Sequence, residues 1–188
     1  MILDAYEDAM KKNSSKNRRH RIEHIEVVTK EDVPRFRQLG VIASMQPLHA
    51  TGEESYCKAL GTERLKGAFP WNSLDKAGAV LAFGSDWQVA DMNPILGIHA
   101  AVKREDIMLD PEEAINLEKA IEGYTINAAY ASFEENIKGS IEVGKLADII
   151  ILSDNLFEIP IDKIKDVKVL LTIVGGKEVY RSDKFQTI

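Results

Sequence analysis

Residues 80–86 read Val-Leu-Ala-Phe-Gly-Ser-Asp, an apolar run that ends abruptly at Gly84-Ser85-Asp86. A short apolar run closed by small turn residues is typical of a buried strand. Parallel α/β folds keep their chemistry at the carboxyl ends of their strands. The stretch therefore predicts a buried strand that delivers the carboxylate of Asp86 to the functional edge of a parallel sheet.

The same pattern occurs twice earlier in the chain. Residues 21–28 are predicted as a strand that is buried on both faces and that presents His24 on the pocket side. Residues 41–45 are predicted as the next strand, which leads into Gln46-Pro47-Leu48-His49. Helical segments separate these strands, and a strand-helix-strand unit is a parallel crossover. The first part of the chain is therefore predicted to be α/β.

Capping residues and apolar spacing predict the helices. They cover residues 2–12, 33–39, 71–77, 94–104, 111–121 and 125–132. Asp32 and Asp110 are the predicted N-caps of the second and fifth helices, because each precedes a proline in a first helical turn. Residues 50–69 lack a clear period and are predicted to form a long connection of the kind that builds binding lids.

The pattern changes after Gly139. Apolar runs at 147–152, 167–173 and 178–180 follow one another without helices between them, and glycine turns join them. This order predicts an antiparallel sheet. We therefore predict two domains, with residues 1–138 in the first and residues 139–188 in the second.

The composition and charge of the chain limit which partners and which cellular compartment are expected. The chain has 188 residues and a formal net charge of -6, and its basic residues form no stripe, which argues against nucleic acid as a partner. No apolar run reaches the roughly 18 residues of a membrane span, so no membrane partner is expected. The first residues lack a basic leader with a long apolar segment, which predicts a cytoplasmic protein. The single cysteine, Cys57, is predicted to be a small packed thiol rather than a nucleophile.

Common catalytic motifs are missing from the sequence. It contains no G-x-S-x-G elbow, no phosphate-binding glycine loop and no H-E-x-x-H motif. Serine hydrolases, P-loop enzymes and dinucleotide oxidoreductases therefore lose most of their support.

His24 and Asp86 are the leading candidates for a functional site. Neutral imidazole is the commonest metal ligand, and a carboxylate can ligate a metal or accept a proton from water. On spacing alone, His24 fits a hydrogen-bonded histidine equally well, and Asp86 fits a loop cap better than a ligand. His49 is compatible with facing either ligand or solvent. Trp71 and Trp87 are compatible with lining a pocket or with simple packing.

Five strings, taken in order, carry a resemblance to a known family. They are R-I-E-H-I-E (21–26), G-V-I-A-S-M-Q-P-L-H-A (40–50), A-F-G-S-D-W-Q-V with N-P-I-L-G-I-H-A-A-V (82–102), Y-T-I-N-A-A-Y-A-S-F-E-E (124–135) and G-S-I-E-V-G-K-L-A-D-I-I-I-L (139–152). Together they resemble the C-terminal part of the amidohydrolase superfamily, in particular the YtcJ-like metal-dependent hydrolases. The resemblance implies an α/β fold: strands six to eight of a (β/α)8 TIM barrel with their helices, followed by part of a small antiparallel β-sandwich.

The resemblance also implies roles for individual residues. His24 matches the metal-binding histidine at the end of the sixth barrel strand. Asp86 matches the aspartate after the eighth strand, which binds metal and acts as the general base. His49, Gln46 and Trp87 are placed on the substrate side. The implied cofactor is a divalent metal, with zinc as the first expectation, and the implied reaction is hydrolysis of an amide or formamide-type C–N bond in a small-molecule substrate.

The chain departs from the family pattern in its metal ligands. The family carries an H-x-H motif after the first barrel strand, a lysine or glutamate after the fourth and a histidine at the fifth, and this chain has none of these positions. A catalytic zinc has about three protein ligands, whereas the chain supplies two of the family set. We therefore expect a fragment or truncated gene product that binds metal weakly and is inactive by itself.

Two further expectations follow from the partial barrel. Its bare sheet edges predict self-association of the isolated chain. The alternative to an enzyme is a non-catalytic regulatory or interaction protein, because relatives of this family carry the label exoenzyme regulatory protein. The G-K-L-A-D string matches the return into the sandwich, so the resemblance makes Asp148 architectural.

Overall fold

The computed structural model describes residues 1–14, 17–51, 59–65, 67–104 and 109–185. Its helices are α1 (Ile2–Lys12), α2 (Val33–Leu39), α3 (Thr62–Leu65), α4 (Trp71–Lys76), α5 (Pro94–Val102), α6 (Leu117–Tyr124) and α7 (Ile126–Ala131). Its strands are β1 (Arg21–Glu23), β2 (Ile42–Met45), β3 (Leu81–Phe83), β4 (Ile149–Leu152), β5 (Val169–Val174) and β6 (Lys177–Arg181). Short 3-10 helices occur at Pro47–Ala50, Pro111–Glu113 and Ile161–Asp166. Across these ranges no helix combines the length and the apolar character that crossing a bilayer requires.

The first three strands form a parallel sheet in the order β1-β2-β3. Ile22 pairs with Ala43, and Ser44 pairs with Ala82, so all three strands run in the same direction. The predicted parallel crossovers are therefore present. Of the predicted lid, residues 52–58, which include Cys57, and residue 66 lie outside the described residues.

The outer strand β1 differs from its prediction. It ends at Glu23 instead of continuing to residue 28, because His24 (φ 70°) and Ile25 (φ 48°) take a left-handed conformation that a strand cannot contain. Arg21 and Glu23 are exposed, so the prediction of a strand buried on both faces is also wrong. By contrast β3 is buried throughout, as its apolar sequence predicts, although it stops at Phe83.

Two predicted helix caps act differently in the structure. The side chain of Asp32 makes no capping hydrogen bond, because its Oδ1 accepts instead from Nη1 of Arg35 at 2.7 Å. Asp110 caps only the short 3-10 helix that follows it. The predicted helix at 111–121 is therefore wrong at its start, since α6 is a separate helix capped by the side chain of Asn116.

The last three strands form an antiparallel sheet in the order β4-β5-β6, as predicted. Gly175 (φ 55°) and Gly176 (φ 77°) make the turn between β5 and β6, where a positive φ favours glycine. Oδ1 of Asp148 accepts a hydrogen bond from the backbone N–H of Gly175 at 2.7 Å. Asp148 thus holds this turn, which agrees with the architectural role that the resemblance implied.

One hydrophobic cluster runs through both parts of the chain. It contains Phe36 and Trp71 from the parallel part together with Leu156, Ile164 and Val167 from the later part. The 3-10 helix that carries Ile164 packs against α5. The two parts of the chain therefore share a packed core, and the predicted domain boundary at residue 138 stays a prediction.

Gly123 allows α6 to approach β3 closely. A Cβ at this position would lie 2.4 Å from Cδ2 and 2.8 Å from Cε2 of Phe83, whose ring also packs against the ring of Tyr124 with 5.6 Å between centroids. We expect Gly123→Ala to reduce the free energy of unfolding by about 1–3 kcal/mol through overpacking, as measured by urea denaturation. Gly67→Ala is the control, because the nearest atom to an added Cβ there lies at 3.9 Å. An equal loss in both variants would contradict the close-packing explanation.

Candidate metal centre

The carboxyl ends of the three parallel strands bring the predicted site residues to one edge of the sheet. His24 directly follows β1, Gln46 directly follows β2, and Asp86 lies on the turn after β3. The backbone N–H of His24 donates to the carbonyl oxygen of Ser44 at 2.8 Å, which ties the first turn to the middle strand. The parallel order of the strands therefore places residues that are distant in sequence around a common opening.

A cavity of about 380 Å³ opens at this edge. Its lining residues are His24, Glu26, Leu48, His49, Thr51, Phe69, Asp86, Val89 and Ala90. The predicted residues His24, His49 and Asp86 are thus brought together. Trp87 is not among the lining residues of this cavity and is 60% exposed, so its predicted contact with substrate stays a prediction.

The ring of His24 is oriented by Gln46. Nδ1 of His24 lies 3.0 Å from Oε1 of Gln46, and the Gln46 side chain is buried. An amide oxygen can only accept a hydrogen bond, so Nδ1 of a neutral His24 donates and Nε2 carries the lone pair. Gln46 was predicted to contact substrate; in the structure its amide holds His24 in the tautomer that leaves Nε2 available as a ligand.

His49 is paired with Glu26, a residue that sequence reasoning missed. Nδ1 of His49 lies 3.3 Å from Oε1 of Glu26, and the His49 side chain is only 10% exposed. Within the described part of the chain, Nε2 of His49 is buried and has no hydrogen-bond partner. A carboxylate next to one ring nitrogen and an unsatisfied second nitrogen is the arrangement seen around metal-binding histidines.

His24, Glu26 and His49 form the closest group of potential ligands at this site. One ligand atom from each lies within 4.8 Å of the other two. The two imidazole rings are nearly parallel, with 5.8 Å between centroids and an angle of 17°. Two imidazoles and a carboxylate are a donor set that suits zinc and related divalent cations. The residues present therefore fit the divalent metal that the resemblance implies.

Asp86 lies at the same cavity but outside this close group. It is exposed and adopts a left-handed conformation (φ 53°), and its backbone oxygen accepts from the N–H of Val89 at 2.7 Å. Asp86 also borders an adjoining pocket that His24 and Gln46 share. Its predicted roles as metal ligand and general base stay predictions. The structure places Asp86 at the same cavity as His24.

Comparison with known proteins agrees with these features. The sequence profile of the amidohydrolase family matches residues 1–180. Protein LONG AFTER FAR-RED 3 of Arabidopsis thaliana is 42% identical over 186 residues, which cover 96% of this chain and 32% of that protein. The putative amidohydrolase YtcJ of Bacillus subtilis is 29% identical over 92% of this chain and 34% of its own length. The N-substituted formamide deformylase of Arthrobacter pascens is 31% identical over 94% of this chain and 33% of its own length.

A solved structure supports the same relationship. A metal-dependent hydrolase from Pyrococcus horikoshii superposes with a TM-score of 0.71 at 26% identity, covering 86% of this chain and 32% of that one. The chain thus spans about a third of the length of the relatives that it matches. With its mixed α/β fold and its histidine and carboxylate cluster at the strand ends, the chain belongs to the amidohydrolase family, as a YtcJ-like member.

Proposed function

We propose that this chain carries part of the active site of a metal-dependent hydrolase that cleaves an amide or formamide-type C–N bond in a small molecule. One observation carries the proposal: His24, His49 and Asp86, which follow three consecutive parallel strands, line a single cavity. Membership of the amidohydrolase family and the similarity to a formamide deformylase support the class of bond.

In this proposal His24 and Asp86 hold a divalent cation, with zinc as the first choice. When bound, such a cation polarises a carbonyl oxygen and lowers the pKa of a water ligand towards about 7. Asp86 accepts the proton of the attacking water and passes it to the leaving nitrogen. Gln46 acts through His24, because its buried amide fixes the orientation of that ring.

The substrate side of the site is proposed at the loop after β3. Trp87 follows Asp86 directly, and its indole is exposed enough to cover a small molecule that enters the cavity. His49 was predicted on the same side. Its proximity to His24 and its buried, unsatisfied nitrogen favour a role next to the metal instead.

We also propose that β1, β2 and β3 correspond to strands six to eight of the family barrel and that β4 to β6 belong to its β-sandwich. On this assignment, hydrolysis needs further ligands of the kind that the family carries on earlier barrel strands. His24 and Asp86 alone are fewer than the three protein ligands of a typical catalytic zinc. The chain by itself is then expected to have no turnover.

A chimera tests this proposal. Residues 1–180 replace the matching region of the formamide deformylase from Arthrobacter pascens, and the rate of hydrolysis of an N-substituted formamide is measured with zinc present. We expect the chimera to be active, and His24→Ala to lower kcat/KM by at least about 100-fold, because an interaction with the metal is lost.

His20→Ala is the matched control for the chimera. His20 stacks on Tyr6, with 4.7 Å between ring centroids, and it is not among the residues that line the cavity. Its replacement should change kcat/KM by less than about threefold. A folded chimera without activity would favour the non-catalytic alternative, and turnover by the chain alone would contradict the partial-site proposal.

A further inference from the structure

We propose that His24, Glu26 and His49 form a divalent-cation site that lies wholly within this chain and that binds Zn²⁺. The site shares His24 with the active site proposed above. It does not depend on that proposal, because it is defined by binding alone and requires no hydrolysis. Glu26 and His49, which have no metal role in the prediction from sequence, become direct ligands.

The spacing of the donors is close to that of a zinc site. With bond lengths of about 2.1 Å, two donors of a tetrahedral zinc site lie about 3.4 Å apart. In the structure the three candidate atoms lie within 4.8 Å of one another. On binding, the side chains would have to close this difference of up to about 1.4 Å.

The protonation of His24 suits a cation. Its Nδ1 donates to the amide oxygen of Gln46 at 3.0 Å, so its Nε2 holds a lone pair. His24 is exposed at the cavity while Gln46 is buried behind it. The ring of His24 therefore has the tautomer that coordination requires before any cation binds.

The surroundings of His49 also favour a cation. Among the residues that the structure describes, its buried Nε2 lacks a hydrogen-bond partner, an arrangement that costs free energy in the absence of a ligand. The carboxylate of Glu26, whose side chain is 29% exposed, lies beside the other nitrogen. A bound cation would compensate the negative charge of Glu26.

Glu26 has two possible roles, which one substitution separates. If Glu26 only orients His49, Glu26→Gln keeps an oxygen that can accept the hydrogen bond from Nδ1 and zinc affinity is retained. If Glu26 is a ligand, the same substitution removes an anionic donor and affinity falls. The proposal requires the second result.

The test is calorimetric titration of zinc chloride into the full chain after removal of metal with EDTA. We expect one site with a dissociation constant in the micromolar range. His24→Ala, His49→Ala and Glu26→Gln should each weaken binding by at least about tenfold. The visible spectrum of a cobalt(II) complex supplies a second measurement, since tetrahedral coordination by the chain should appear in the wild type and disappear in His49→Ala.

Two controls make the titration decisive. His20→Ala and Asp91→Asn, at residues that do not line the cavity, should each change the zinc affinity by less than about threefold. Absence of zinc binding, or unchanged affinity in Glu26→Gln or His49→Ala, would overturn the proposal. An inactive chimera that still binds zinc through these residues would refute the hydrolase proposal and leave this one standing.

Discussion

Asp86→Asn is expected to lower kcat of the chimera by about 10²–10⁴-fold, the usual contribution of a general base. Asparagine has the same size as aspartate but cannot take up the proton of the attacking water. The backbone should tolerate the change, because asparagine adopts a left-handed conformation such as that of residue 86 (φ 53°) more readily than most residues. The hydrogen bond from the N–H of Val89 to the backbone oxygen of residue 86 is also kept.

The measurement is steady-state kinetics of the chimera, with the urea midpoint as a check on folding. Asp91→Asn is the matched control in the same loop. Oδ1 of Asp91 accepts from the backbone N–H of Asn93 at 2.8 Å, a hydrogen bond that an asparagine oxygen can also accept. We expect its kcat to stay within threefold of the wild type. If Asp86→Asn kept more than a tenth of the activity, Asp86 would not be the general base.

The parallel sheet could be predicted from the sequence, because apolar runs and turn residues mark β2 and β3 clearly. The length of β1 could not be predicted from the sequence. The strand stops at Glu23 because two non-glycine residues, His24 and Ile25, adopt positive φ. The β-branched Ile25 is disfavoured in that conformation, so local propensity predicts a longer strand. Contacts distant in sequence oppose this preference, among them the bridge between Val27 and Ala68.

The turn at His24 and Ile25 also explains which site residues could be predicted from the sequence and which could not. His24 and Asp86 follow strands, and their position together with the family resemblance was enough to single them out. Glu26 was missed because it falls inside the predicted strand, where no turn was expected. Its only signal was its spacing of two residues from His24. The contact between Glu26 and His49 spans 23 residues, so it depends on how β1 and β2 pair rather than on either local pattern.

The sequence also could not distinguish the roles of the two tryptophans. Each begins or follows a secondary-structure element, and each is compatible with lining a pocket or with packing. In the structure Trp71 is completely buried and Trp87 is 60% exposed. The ring of Trp71 packs at a tilt against Phe69, with 6.1 Å between centroids, and the guanidinium of Arg104 lies 4.7 Å from its centroid. Arg104 also donates to the backbone oxygens of Phe69 and Ala68 at 2.9 and 3.0 Å.

Trp71→Ala is therefore expected to reduce the free energy of unfolding by about 3–5 kcal/mol, the range for removing a large buried aromatic side chain. The loss combines the cavity left in the core with the removal of the surface on which Arg104 rests. Because Phe69 lines the metal-site cavity, the variant should also weaken zinc binding at temperatures where it is still folded. Urea denaturation followed by circular dichroism measures the first effect, and titration calorimetry measures the second.

Trp87→Ala is the matched control, because it removes the same side chain from an exposed position. We expect it to change the free energy of unfolding by less than about 0.5 kcal/mol, as surface substitutions usually do. Both variants lose the same indole ring, so the difference between their free energies of unfolding measures the effect of burial. Equal destabilisation would mean that Trp87 is covered in solution, as it would be if the exposed loop after β3 packed against a second copy of the chain. If both variants were as stable as the wild type, the placement of Trp71 in the core would be contradicted.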